Sequence, residues 1–165
     1  MSAACSATLR VGSLLFAIAA VLAVTASHVA AQTRGTSREK AVLVESNEVT
    51  DDLDGSGDAY FYKFVAGPGK VTITLEVEAN ETNAGATIDV FGSGSKAIVS
   101  NVLAEGVDKG SETVERTVNL SKQQGIVIRV KGIKYGEAGG TGTYTITVRT
   151  GDKKVGGDIP KTATE

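Results

Sequence analysis

The residues best suited to chemistry are four aspartates in one short acidic segment. They are Asp51, Asp52, Asp54 and Asp58, with glycines at positions 55 and 57 between them. Carboxylate oxygens on a glycine-containing loop are hard ligands of the kind that Ca²⁺ prefers. The same residue types also form solvated turns, in which Asp and Gly supply the backbone geometry. The sequence therefore leaves two interpretations of this loop open, a calcium site and a solvated turn.

The spacing of the acidic residues matches only the opening of an EF-hand loop. Asp52, Asp54 and Ser56, followed by Gly57, occupy the first positions of that motif. The twelfth position, which should be a bidentate glutamate, is Lys63 within a predicted strand. A calcium ion here would therefore need a different arrangement of oxygen ligands.

Imidazole and thiol groups are confined to the start of the chain. The only His, His28, and the only Cys, Cys5, precede residue 32, and the chain has no Trp. For residues 32–165 this excludes Ser-His and Cys-His nucleophilic catalysis, disulfides, and zinc or copper sites built on His or Cys. A carboxylate pair is the catalytic device that remains, so a small glycan hydrolase stays as an alternative to a non-catalytic function.

Strands with one apolar face must position these residues. Val71, Ile73, Leu75 and Val77 alternate with Thr and Glu, and similar runs recur between glycine-rich turns up to Val148. This period of two residues is typical of half-buried strands. The pattern predicts an all-β protein, an antiparallel β-sandwich (jelly-roll-like) of about seven to nine strands.

The parity within each strand also predicts the core. Eight side chains are expected to face it: Tyr62, Phe64, Ile73, Leu75, Ile128, Val130, Tyr144 and Ile146. Two further aromatic residues, Phe61 and Tyr135, lie off this parity or in a loop. They are candidates for contact with a glycan or an extended peptide, although the lack of Trp makes a sugar-stacking platform hard to assemble.

The two ends of the chain differ from the middle. An apolar run from Val11 to Val24 ends in Val29-Ala30-Ala31, which predicts a signal peptide over residues 1–31 with cleavage before Gln32. Residues 32–46 are expected to form a flexible lead-in with a possible edge strand at 41–44. The sandwich domain is predicted over 47–150, and the charged residues 151–165 are expected to be a disordered tail.

Three motifs follow one another in a characteristic order. They are residues 58–64 (DAYFYKF), the alternating strand 69–75 (GKVTITL), and 142–148 (GTYTITV), which follows the strand centred on Arg129. In this order they resemble the bacterial pre-peptidase C-terminal domain, a β-sandwich often attached to secreted proteases. The likeness covers roughly residues 47–150; the middle strand 86–91 (ATIDVF) departs from the more acidic pattern of the family.

The resemblance implies an accessory β-sandwich rather than a catalytic domain. Collagen-binding relatives bind calcium with acidic residues near the N-terminal edge, which implies Ca²⁺ for the acidic loop here as well. With the predicted signal peptide, the sequence predicts a secreted or periplasmic, non-catalytic binding or accessory module whose partner is a protein or an extracellular matrix or envelope component. A calcium-stabilised surface or matrix-binding domain is the alternative.

Two kinds of partner are not expected. The 17 Lys and Arg residues are scattered along the sequence rather than bunched, which argues against nucleic acid. No apolar segment after the signal peptide is long enough to span a membrane.

Overall fold

The domain consists of β-strands joined by short turns. A computed structural model of the chain describes residues 34–80, 82–136, 140–151 and 153–154. The predicted signal peptide and most of the predicted tail lie outside these residues. The strands are β1 (Val42–Leu43), β2 (Glu48–Leu53), β3 (Ala59–Ala66), β4 (Gly69–Ala79), β5 (Ala84–Phe91), β6 (Ala97–Gly106), β7 (Ser111–Leu120), β8 (Gln124–Gly132), β9 (Gly142–Thr150) and β10 (Lys153–Lys154).

The strands form two sheets that pack face to face. Sheet A has the order β1-β3-β8-β5-β6, and sheet B has the order β10-β9-β4-β7, with β2 paired to β9. All pairings are antiparallel except that of β1 with β3, which is parallel. The predicted all-β sandwich is confirmed, with eight long strands and two of only two residues among the described residues.

Alternation along the strands builds the core between the sheets. In β4, the apolar residues from Val71 to Val77 are buried, while Thr72, Thr74 and Glu76 face away from the core. All eight side chains predicted to face the core are at most 1% exposed. Registers of this kind are fixed because a slip by one residue would move the whole apolar set to the solvent.

The lead-in, expected to be flexible, makes specific contacts from residue 34 onward. Phe61 N donates to the Gly35 carbonyl at 3.0 Å, and Val44 N donates to the Lys63 carbonyl at 2.9 Å. The possible edge strand at 41–44 is seen as the two-residue β1 beside β3. A Cβ at Gly35 would collide with the backbones of Phe61 and Lys40, so glycine permits this close approach. The lead-in therefore covers the outer edge of β3.

Two features concern the ends of the described chain. After Gly151, β10 pairs with the end of β9, so the first residues of the predicted tail extend sheet B. Within the part of the chain that the structure describes, no helix has the length and apolar character needed to cross a membrane.

Candidate functional site

The acidic segment predicted as a possible metal site is organised around an arginine. Arg34 lies in the lead-in, whereas Asp51 and Asp52 belong to β2 and Asp54 begins the loop to β3. Arg34 Nε and Nη2 donate to the two oxygens of Asp51 at 2.8 and 2.7 Å, a bidentate ion pair. Arg34 Nη2 also donates to the Asp52 carbonyl at 2.9 Å. The lead-in thus provides the cation that this segment binds.

The ion pair continues into the core through two tyrosines. Tyr62 in β3 donates its hydroxyl to Asp51 Oδ2 at 2.8 Å, and the hydroxyls of Tyr62 and Tyr144 are 2.6 Å apart. Tyr144 lies in β9, so this contact joins sheet A to sheet B. We call Arg34, Asp51, Tyr62 and Tyr144 the Arg34 cluster. In a packed core such hydroxyls need partners, and the cluster supplies them.

The surroundings of the Arg34 cluster shift its ionisation. Burial alone would raise the pKa of Asp51, but hydrogen bonds from Arg34 and Tyr62 outweigh it and lower that pKa below its usual range. Burial raises the pKa values of Tyr62 and Tyr144 well above that of a free phenol. The hydrogen bond to Asp51 raises the pKa of Arg34 further. The charged pair and the neutral tyrosines are therefore the stable forms.

The other predicted metal ligands do not converge on Asp51. Asp54 Oδ1 accepts from Ser56 N at 3.0 Å, and Asp54 Oδ2 lies 3.8 Å from Arg34 Nη1. Asp52 and Asp58 are exposed. Among the described residues, no group of three or more His, Cys, Asp or Glu side chains is arranged to hold a metal ion. The four carboxylates therefore do not fit a calcium site in this arrangement, in which the guanidinium of Arg34 occupies both oxygens of Asp51.

A second candidate region is the outer face of sheet A. The inner side of β3, β8 and β5 carries buried residues such as Tyr62, Ile128 and Val90, so the intervening residues point outward. The cross-strand register places Lys63 beside Val127, and Lys131 beside Thr87. We call this surface, with Arg38, Lys63, Lys131 and Lys134, the cationic face. Among the described residues, its three lysines form no ion pair.

One cleft lies where the lead-in meets the loop between β5 and β6. It has a volume of about 540 Å³, and its lining includes Arg38, Lys63, Val127 and one carboxylate, Glu39. The Arg38 guanidinium donates to the Gly92 carbonyl at 2.7 Å and stacks 4.8 Å from the centre of the Phe91 ring. These contacts fix the wall of the cleft.

The Lys63 side chain has room to lie across the neighbouring strand. A Cβ built on Gly125 of β8 would come within 2.8 Å of Lys63 Cε, so the absence of a side chain there accommodates the lysine stem. The Lys63 side chain therefore lies over β8, lines the first cleft and remains exposed to solvent.

A second cleft lies at the opposite end of the same face. It has a volume of about 440 Å³ and is lined by Lys131, Lys134, Ile133, Thr87 and the Ser56-Gly57 turn. The acidic loop therefore contributes backbone and a hydroxyl to this cleft. The described lining holds no carboxylate.

A fixed ion pair separates the two clefts. In the register, Phe61 lies beside Arg129, and Arg129 lies beside Asp89. Arg129 donates through Nε to Asp89 Oδ2 at 2.8 Å, and Asn101 N donates to Asp89 Oδ1 at 3.1 Å. Asp89 is only 5% exposed. The middle of the face is thus electrically balanced, whereas the lining of each cleft has more cationic than anionic side chains.

The two aromatic residues suggested as ligand contacts have different surroundings. Phe61 is half-buried on the cationic face, beside Arg129. Tyr135 donates its hydroxyl to Glu105 and lies over Gly85, where a Cβ would collide with that hydroxyl. Burial, with a smaller contribution from Glu105, raises the pKa of Tyr135 to about 12. Tyr135 packs against the strand edge, so only Phe61 faces the candidate site.

Sequence reasoning missed the two features that define these regions. The basic residues are scattered along the sequence, because Arg38 comes from the lead-in, Lys63 from β3 and Lys131 from β8, which only the fold brings together. The role of Arg34 could not be predicted, because the sequence around an arginine in a polar lead-in does not indicate which residue it contacts. Asp89 and Arg129 did carry one: each is a charge placed between apolar residues of a long strand.

Comparison with known proteins gives distant likenesses only. No protein-family model and no curated protein matches the chain. The pre-peptidase C-terminal domain of a Bacillus anthracis collagenase is similar over 66% of this chain and 94% of that one, at 15% identity and a TM-score of 0.40. The family suggested by the sequence motifs is therefore among the similar structures.

Two other solved structures show comparable similarity. A periplasmic inhibitor of g-type lysozyme from Aeromonas hydrophila is 16% identical with a TM-score of 0.38, covering 66% of this chain and 96% of that one. A family 35 carbohydrate-binding module from an environmental isolate is 15% identical with a TM-score of 0.39, covering 67% of this chain and 79% of that one. TM-scores of this size assign no function.

Proposed function

We propose that the protein is an exported, non-catalytic binding module that contacts a protein or a matrix or envelope component through its cationic face. The observation that carries this proposal is the coincidence of clefts and charge. Both described clefts lie on the outer face of sheet A, and each is lined by two cationic side chains. Concave sites with a few convergent polar groups are where ligands bind.

The arrangement of acids supports a non-catalytic role. Glycoside hydrolysis needs two carboxylates facing each other across a cleft. The two clefts contain one carboxylate between them, that of Glu39. Asp51 and Asp89, the least exposed acids with assigned partners, are held by arginines. Residues 32–165 contain neither His nor Cys to act in their place.

Export rests on the first 31 residues of the sequence. The apolar run and the small residues Val29, Ala30 and Ala31 are typical of a cleavable signal peptide. Cleavage before Gln32 would retain Arg34 in the mature chain, two residues after the new N-terminal residue. The Arg34 cluster would therefore keep its cation. Mass spectrometry of the exported protein should show a chain that begins at or near Gln32; an intact N-terminus on a cytoplasmic product would exclude export.

Site-specific photocrosslinking tests the binding surface. A photoreactive residue replaces Lys131 on the cationic face or, as a matched control, Lys70 on the outer face of sheet B. Both positions are exposed residues of β-strands. In cells that produce the protein, we expect a discrete adduct with an exported component from position 131 and none from position 70. Equal adduct patterns from both positions would show that the cationic face is not the binding surface.

A further inference from the structure

The cationic face has a geometry that specifies its ligand more closely. Resting on the proposed function, we infer that it takes an extended segment of a partner protein that presents two carboxylates six residues apart on one side. Three features of the face favour this ligand: the separation of the two cationic ends, the neutral surface between them, and the scarcity of exposed aromatic rings.

The separation of the cationic ends follows from the strand register. The charged end of Lys63 lies over Gly125, and Lys131 lies six residues further along β8 on the same outer face. Strands rise by about 3.4 Å per residue, so the two ends are about 20 Å apart. In an extended peptide, side chains at positions i and i+6 share one side and have the same separation. A carboxylate at each position would meet one cationic end.

The middle of the cationic face requires no charge from the ligand. The Arg129 guanidinium is neutralised by Asp89, whose other oxygen accepts from Asn101 N, while 40% of the Arg129 side chain stays exposed. Phe61 beside it provides apolar surface. Uncharged residues at positions i+2 and i+4 of the ligand suit this surface, because a third carboxylate would have to compete with Asp89 for the same guanidinium.

The aromatic content favours a peptide over an acidic polysaccharide. Sugar rings are recognised by stacking on open aromatic faces. The chain has no Trp, Phe61 is half-buried, and the Phe91 ring is already covered by the guanidinium of Arg38. An extended peptide needs no such platform, since its charges and small side chains can enter the two clefts.

The test uses two short synthetic peptides of identical composition. One has two Glu residues six positions apart in a Thr and Val background, and its isomer has them adjacent. Binding is measured by fluorescence anisotropy at low and high salt, and polygalacturonate serves as the polysaccharide probe. We expect the spaced peptide to bind roughly fivefold more tightly than its isomer, because only it reaches both ends. Added salt should weaken this preference.

Variants of the protein assign that preference to the cationic face. Lys131→Gln combined with Lys134→Gln should abolish the difference between the two peptides, whereas Lys70→Gln on sheet B should preserve it. Equal binding of both peptides, or a preference that survives the double substitution, would overturn the inference. Binding of polygalacturonate without binding of either peptide would also overturn the inference, because it would show that the ligand is an acidic polysaccharide.

Failure of this inference can be distinguished from failure of the proposed function. If position 131 crosslinks to a partner but the peptides show no spacing preference, the cationic face binds something else and the binding function stands. If position 131 yields no adduct that position 70 lacks, the proposed binding surface itself is wrong.

Discussion

The Arg34 cluster and the cationic face use cationic side chains in opposite ways. In the Arg34 cluster, the guanidinium has a bidentate carboxylate partner that is 9% exposed, and each tyrosine hydroxyl has a hydrogen-bond partner. On the cationic face, Lys63, Lys131 and Lys134 are exposed and extend from a rigid sheet. Satisfied charges hold elements of the fold together, whereas exposed charges on a rigid support are available to a ligand. The contrast predicts that stability depends on the first region and binding on the second.

The largest effect is expected from the core beneath both regions. Leu75→Ala or Ile146→Ala should destabilise the protein by about 2–5 kcal/mol, because each removes a fully buried side chain and leaves a cavity. Urea denaturation measures this. Losses below about half a kilocalorie at both positions would contradict the register.

A smaller loss of stability is expected from Asp51→Ala. It leaves the Arg34 guanidinium and the Tyr62 hydroxyl without their shared acceptor, at a cost of about 1–3 kcal/mol. Asp51→Asn, which keeps the shape and one acceptor oxygen, should cost less. Peptide binding at the cationic face should be unchanged in both variants while they remain folded. If Asp51→Ala weakened binding as much as stability, the two regions would not be separate.

The pH dependence of stability should also come from the Arg34 cluster. The pKa of Asp51 is lowered in the folded protein, so its contribution is full above its ordinary pKa of about 3.9 and is lost as the pH falls through the folded value. The raised pKa values of Tyr62 and Tyr144 act in the alkaline range. Their contribution is full below about pH 10 and is lost as the pH rises.

Two titrations check these directions. Compared with Asp51→Asn, the wild-type protein should lose more of its unfolding free energy between neutral pH and pH 2 or so. Phenolate absorbance should show that Tyr62 and Tyr144 ionise only when the protein unfolds. Comparison with Tyr144→Phe assigns the part of the absorbance change that comes from Tyr144. Ionisation of both tyrosines in the intact fold would show that the cluster is open to solvent.

The smallest effects on stability are expected at the cationic face and from calcium. Lys131→Gln should change the free energy of unfolding by less than about 0.5 kcal/mol, as for other exposed side chains. Millimolar Ca²⁺ should leave the melting temperature close to its value in chelator, because Arg34 occupies the oxygens of Asp51. A marked rise that disappears in Asp52→Asn combined with Asp54→Asn would instead establish the calcium site suggested by the sequence.

The fold was accessible from the sequence because its signal is local. Alternation of apolar and polar residues within β4, β8 and β9 predicts which side chains are buried, and turn-forming residues mark where the strands end. The partners of polar residues depend on sheet order, which alternation does not encode. Tyr62 reaches Tyr144 only because β3 and β9 face each other across the core, and Lys63 shares a face with Lys131 only because β3 lies beside β8. The four aspartates were expected on one loop, but Asp51 and Asp52 lie in β2, and the arginine partner of Asp51 could not be inferred.

The position of β9 has a consequence for the order of assembly. β9 is the last long strand among the described residues, yet it lies between β2 and β4 and supplies Tyr144 to the Tyr62 hydroxyl. For a chain that leaves a narrow channel N-terminus first, β2 has no neighbour in sheet B until residues 142–150 have emerged. Pairings between such distant segments form late, since loop closure must precede them. In such a chain, the topology delays completion of sheet B until β9 has emerged.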